Sequence, residues 1–213
     1  MSTFSYNLLL RHKDKKTRRS EIMRTNAVAE LTVAALLVAV GFGGAAAQQP
    51  PPQPPSEFKL MISAYPDGGA IPPQYSCADP NAGSPALAWS NPPEGTLSFA
   101  AIMYDTDAAP AKSSMDFTHW IFWNVPGNAT SVPAGVKPGT SPGGITQGEN
   151  SRKVNGYRPP CPPPGAPPHH YMLQIYALDT RVDLPAESSR TELLKAMDGH
   201  AIGKSTYVGK FGR

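Results

Sequence analysis

The chain has 213 residues, a formal net charge of +3, 40% hydrophobic and only 16% charged residues, which suits one globular domain with a real core and excludes a disordered chain. Its 25 prolines and 19 glycines exclude a helical bundle, because proline inside a helix removes a donor and clashes with the preceding turn. Taking the seven Lys/Arg and three Asp/Glu of residues 1–47 from totals of 19 and 16 leaves 12 basic and 13 acidic residues, a near-neutral body without the basic face that nucleic-acid binding needs.

In chain order, residues 1–47 come first. Leu31–Gly43 is an uncharged apolar run of 13 residues, short of the ~20 that cross a bilayer as a helix. It follows a basic start and ends in Gly44-Ala45-Ala46-Ala47, a small-residue exit. That pattern describes a secretory signal peptide over 1–47, with Met23 as an alternative initiator. An uncleaved anchor is the rival reading. Arg18-Arg19 suggests a twin-arginine signal, but Ser20-Glu21-Ile22 fits it poorly. Residues 48–57 hold five prolines and read as an extended Pro/Gln-rich linker. The folded domain is expected over 58–213, in the periplasm or outside the cell, with no stable transmembrane segment after cleavage. In that oxidising setting Cys77 and Cys161 could pair, worth ~4–5 kcal/mol on the chain-entropy account. Two buried thiols are the alternative. There is no CxxC pair to suggest redox chemistry or a zinc ribbon.

Strands are expected at Phe58–Ile62, Leu97–Asp105, Thr118–Val125 and Tyr171–Leu178, with a short last strand at Tyr207–Phe211. Leu97–Tyr104 is apolar on both alternating faces, as a central covered strand is. Trp89, Trp120 and Trp123 read as core. Ser189-Arg190-Thr191-Glu192 is a capping box opening a helix over about 188–198, with a stripe of Leu193, Leu194 and Met197 and Gly199 ending it. Pro126–Pro168 reads as a long irregular stretch that is either functional or carries small elements of its own. Asn128-Ala129-Thr130 is a glycosylation sequon, with meaning only in a eukaryotic secretory pathway. The sum is a mainly β single domain with peripheral short helices.

Three polar clusters sit at the ends of the most apolar strands. Asp105 and Asp107 leave one strand and, two apart, would share a side if it continued. His119 enters the next strand. His169 and Tyr171 enter the third. If the first strand runs antiparallel to the other two, all three clusters meet at one end of the sheet. Protonated His119 and His169, with the Tyr171 hydroxyl, would then donate to an anion, and the aspartates would orient the rings. Pro110, Trp120 and Pro163 are expected on the rim. The alternative is that each residue caps its strand end separately. The same donors suit zinc or iron, but no HExxH motif occurs and no metal or cofactor is expected. No GxSxG occurs either, and no catalytic residue is assigned.

These motifs together resemble a known family. Asp105-Thr106-Asp107-Ala108-Ala109-Pro110, His119-Trp120, Asn124-Val125-Pro126, Gly156-Tyr157, Pro160-Cys161-Pro162-Pro163, His169-His170-Tyr171 and Tyr176-Ala177-Leu178-Asp179 are similar to the phosphatidylethanolamine-binding protein family, above all to its bacterial Raf kinase inhibitor-like branch. Ser84-Pro85, Leu87, Trp89 and the ending Tyr207–Arg213 extend the likeness. It implies a central antiparallel sheet, a smaller flanking sheet and short helices. It also implies an anion pocket built by Asp105, Asp107, His119, His169 and Tyr171 for phosphate-like groups or phospholipid headgroups. Two departures stand out. The usual D-P-D-A-P is D-T-D-A-A-P here, and the middle of the H-R-Y motif is His170. The expected function is non-enzymatic binding of a phosphoryl-bearing ligand. The rivals are a protease inhibitor acting through an exposed loop such as Pro138–Arg158, and a metal-assisted hydrolase.

Overall fold

The computed structural model describes residues 56–213; the expected signal peptide and all but the last two residues of the 48–57 linker lie outside the described residues. The strands in chain order are β1 (Lys59–Met61), β2 (Gly69–Ala70), β3 (Leu87–Ser90), β4 (Ser98–Asp105), β5 (Phe117–Pro126), β6 (Ser131–Val132), β7 (Thr146–Gln147), β8 (His169–Leu178) and β9 (Ala201–Phe211), with one α-helix among the described residues, α1 (Arg190–Met197), and two short 3-10 turns. They form a three-stranded sheet, β1-β3-β6, and a six-stranded sheet, β2-β9-β8-β4-β5-β7. The larger sheet is antiparallel except where β2 runs parallel to β9. The architecture is the expected one.

The two apolar faces of β4 explain its place at the middle. Phe99, Ala101 and Met103 point into the core between the sheets, joined by Leu60, Trp89, Trp120, Phe122 and Tyr171. Ala100 and Ile102 point the other way, onto Ile121, Trp123, Leu193 and Met197. This period of two buries both sides of one strand. The helix α1 closes the second face. Its Ser189 cap accepts from the Glu192 amide while Glu192 returns to the Ser189 amide, as the sequence motif implies. Leu193 is fully buried, worth roughly 1.5–3 kcal/mol, but Leu194 is exposed, so the apolar stripe is narrower than its residues suggest.

One expectation changes, and two stretches gain detail. The last strand is β9, far longer than Tyr207–Phe211. Its half-exposed middle, Gly203–Thr206, lacks apolar alternation because the strand is held by backbone pairing to β8 from His169↔Phe211 to Leu178↔Ala201. Pro126–Pro168 is not structureless: it carries β6, β7, a 3-10 turn and a bridge between Glu149 and Asn155. The strand β3 is too short to show a sequence period, yet it forms the middle of the small sheet.

Asn124 explains one motif. It sits in β5 at φ 64°, beside a register shift against β4. Asparagine tolerates this left-handed conformation better than most side chains. Its amide group donates to the Val182 carbonyl at 2.9 Å and accepts from the Val182 N–H at 2.9 Å. That pair ties the loop after β8 to the end of β5.

Candidate functional site

The strand directions bring the three clusters together. Asp105 stands opposite Phe117 on β5 and opposite Tyr171 on β8, so the end of β4 meets the beginnings of both neighbours. His169 Nδ1 lies 2.7 Å from Asp105 Oδ2. The other Asp105 oxygen accepts from the Asp107 amide at 2.9 Å.

A β-bulge delivers the second histidine. Met103 pairs with Trp120 and Tyr104 with Thr118, which leaves His119 as the extra residue. Such a bulge re-aims a side chain that strict alternation would send to the opposite face. The His119 ring accordingly stands edge-on to Tyr171, at 5.1 Å and 87°. Its backbone carbonyl accepts from the Arg158 amide at 2.8 Å, and its Nδ1 donates to the Arg158 carbonyl at 2.8 Å. This clamp fixes both the ring and the segment that carries Arg158. Burial pushes the His119 pKa down to about 4, with a smaller opposing pull from its bond to Arg158. His119 is therefore neutral at ordinary pH. The expectation of a protonated His119 is corrected by its desolvation.

Around these groups is a cavity of about 210 Å³, lined by Asp105, Phe117, His119, Arg152, Arg158, Cys161, Pro162, Pro163 and His169, with Ala108 and Ala109 at its side. The Arg152 and Arg158 guanidinium carbons lie 5.7 and 5.8 Å from the Phe117 ring centroid. Burial and then repulsion from Arg152 lower the Arg158 pKa, but a guanidinium remains charged. Two cations thus face one carboxylate that is already bonded to His169. The arrangement suits an anion. Sequence reasoning missed both arginines and Phe117. The available signal was a pair of basic residues flanking Gly156-Tyr157 within a Pro/Gly-rich stretch. Gly156 is needed there: it sits at φ 131°, and a Cβ would lie 2.6 Å from Pro138 Cα.

Cys77 and Cys161 form a disulfide across 84 residues. With the Cys77 amide donating to the Pro160 carbonyl at 3.0 Å, it anchors the proline segment that walls the cavity.

Other expected site residues take different places. Asp107 is exposed and does not line the cavity, because β4 ends at Asp105 and the chain turns. Its carboxylate instead accepts from the His170 amide at 2.6 Å and ring at 3.0 Å, and the amide bond leads in lowering its pKa. Tyr171 is buried behind the cavity, its hydroxyl without a hydrogen-bond partner among the described residues, and burial above all raises its pKa. Trp120 is not on the rim: it is 1% exposed and donates to Gln147 Oε1 at 2.8 Å, because even-numbered positions after the bulge point into the core. Pro110 lines a neighbouring groove with Met115 and Arg190 instead. Pro163 is on the wall as expected. The Pro138–Arg158 stretch is tied down by Gly139 to Asn155, Asn150 to Gly156 and Gln147 to Lys137 hydrogen bonds. Among the described residues no group of three or more His, Cys, Asp or Glu is placed to hold a metal ion. A larger apolar groove of about 530 Å³, lined by Leu60, Met61, Ile62 and Leu87, has only Lys59 and Asp67 as charged neighbours. Volume alone does not mark the site.

Comparison with known proteins agrees with this architecture. The profile of the phosphatidylethanolamine-binding protein family matches residues 62–212. The chain belongs to this family. A UPF0098 protein of Methanothermobacter thermautotrophicus is 39% identical over 155 residues, covering 72% of this chain and 98% of its own. YbcL of Escherichia coli is 41% identical over 123 residues, 56% of this chain and 64% of the relative. LppC of Mycobacterium tuberculosis, named as a lipoprotein, is 32% identical over 160 residues and 74% of each chain. Two solved family structures are similar in fold. CT736 of Chlamydia trachomatis has a TM-score of 0.66 and 31% identity, covering 74% of this chain and 98% of that one. The YbcL structure has a TM-score of 0.65 and 27% identity, with 74% and 99% covered.

Proposed function

We propose that this chain is a secreted or periplasmic binding protein, without catalytic activity, whose cavity takes a phosphoryl-bearing ligand such as a phospholipid headgroup. The observation that carries this reading is the cavity itself: Arg152 and Arg158 converge with His119 and His169 where three strands end. Guanidinium groups match phosphate oxygens as paired donors. Asp105 holds His169 in position rather than facing the ligand alone. The apolar leader ending at Ala47 and the relative named as a lipoprotein support placement outside the cytoplasm. Among the described residues no helix is long and apolar enough to cross a membrane.

The test is a titration of the protein with inorganic phosphate and with phosphoethanolamine, followed by histidine ring NMR signals. Saturable shifts at His119 and His169 are expected, weakened at least tenfold in Arg158→Gln, since a hydrogen bond to a charged group is worth about 1.5–3 kcal/mol. An absence of shifts up to millimolar ligand refutes the reading.

A further inference from the structure

The hydrogen bonds around His119 dictate more than a preference for negative charge. A carbonyl oxygen only accepts, so the 2.8 Å contact between His119 Nδ1 and the Arg158 carbonyl requires the hydrogen on Nδ1. A neutral ring then presents Nε2 as an acceptor. The charged and titratable groups facing this ring are Asp105 on β4, His169 and Tyr171 on β8, and Arg152 and Arg158 on the segment before the proline wall. Burial and the nearby guanidinium of Arg158 oppose a second ring proton more than Asp105 favours it. Asp105 is also occupied: one oxygen takes the His169 ring and the other the Asp107 amide. The cavity therefore sets two donors that cannot accept, Arg152 and Arg158, beside a ring whose free nitrogen accepts in its neutral form.

We propose that the site selects a phosphomonoester as its monoanion, the charged oxygens accepting from Arg152 and Arg158 and the single P–OH donating to His119 Nε2. This rests on the phosphoryl reading of the cavity. A phosphodiester has no hydrogen on its phosphate and would set an oxygen lone pair against the Nε2 lone pair. A monoester dianion has to take up one proton before it fits. Leaving a buried acceptor unpaired weakens binding about tenfold or more.

The test is calorimetric titration of the protein with methyl phosphate and dimethyl phosphate at pH 5.5, 6.5 and 7.5, in two buffers of different ionisation enthalpy. Neither probe carries an amine, so the P–OH is the only acidic hydrogen. Dimethyl phosphate does not titrate, and it corrects for the protein's own charges. The expected result is a methyl phosphate affinity at least tenfold above that of dimethyl phosphate at pH 5.5. That ratio falls as pH rises past the second phosphate pKa near 6. Methyl phosphate binding takes up close to one proton at pH 7.5 and far less at pH 5.5. His119→Phe, which keeps an aromatic edge against Tyr171, brings the two esters within about twofold; Arg158→Gln weakens both. Phosphatidylcholine vesicles doped with phosphatidic acid or with phosphatidylglycerol distinguish the source. Preference for phosphatidic acid places the monoester in a membrane, and binding of methyl phosphate alone places it in solution. Equal affinity for the two methyl esters, or dimethyl phosphate binding with uptake of one proton at pH 7.5, overturns the proposal while the anion site stands. If neither ester nor inorganic phosphate binds, the phosphoryl reading itself fails.

Discussion

Removing the disulfide should cost this domain a large share of its stability. Cys77 and Cys161 close a loop of 84 residues. On the chain-entropy account such a closure removes about 15 cal/mol/K from the unfolded chain, or about 4.5 kcal/mol at 25 °C. Domains of this size lose roughly 2–4 °C of Tm per kcal/mol, so the expected drop is about 9–18 °C. The cross-link is also local to the site, since Cys161 lines the cavity and Cys77 reaches Pro160 through its amide. The assay is thermal unfolding by circular dichroism of the oxidised protein against Cys77→Ser/Cys161→Ser, with the wild type in reductant as a second route. Phosphate affinity measured on the same samples below both melting points should fall with the loss of the wall. A Tm change under about 3 °C by both routes would refute the reasoning, because the unfolded chain would then gain little freedom when the bond is cut.

Three further outcomes are expected. The His119 ring should titrate near pH 4 in the folded protein, against about 6.5 unfolded, so the unfolded chain binds more protons between those values. Stability then falls as pH drops from 6.5 through 4, by roughly 3 kcal/mol from this residue, and His119→Phe should flatten that part of a urea-unfolding pH profile. Asn124→Ala removes two bonds to Val182 and leaves a β-carbon at φ 64°, costing about 2–4 kcal/mol; Asn124→Gly keeps the backbone and should cost less, both read by denaturant midpoint. Asp107→Asn should leave phosphate affinity within about twofold, since that carboxylate holds His170 outside the cavity; a tenfold change would return Asp107 to the binding set.

Much of the framework is written locally. The double-faced apolar run of β4, the capping box at Ser189 and the pairing of Asp or His with each strand end depend on neighbours within a few residues. These features were enough to expect a mainly β domain with Asp105, His119 and His169 at one end. The family motifs pointed the same way. The long β9 and the short β3 were hidden because backbone pairing to a distant partner, rather than side-chain alternation, holds them.

The chemistry of the cavity was decided by tertiary structure. The bulge at His119 turns its side chain onto the face it shares with Trp120, and which residue bulges depends on the register against β4. Asp107 leaves the cavity because the chain turns after Asp105, although Ala108 and Ala109 return to its side before Pro110 passes into the neighbouring groove. Arg158 enters it because its backbone is clamped to His119, 39 residues away in sequence, and Arg152 because the preceding Ser151 amide donates to the Thr118 carbonyl. Burial, which sets the His119 proton and so the charge of the site, exists only once these distant segments pack together. The amino-acid sequence by itself specified the strands and the residue types at their ends; packing over long sequence separations determined which of those side chains face the ligand and in what protonation state.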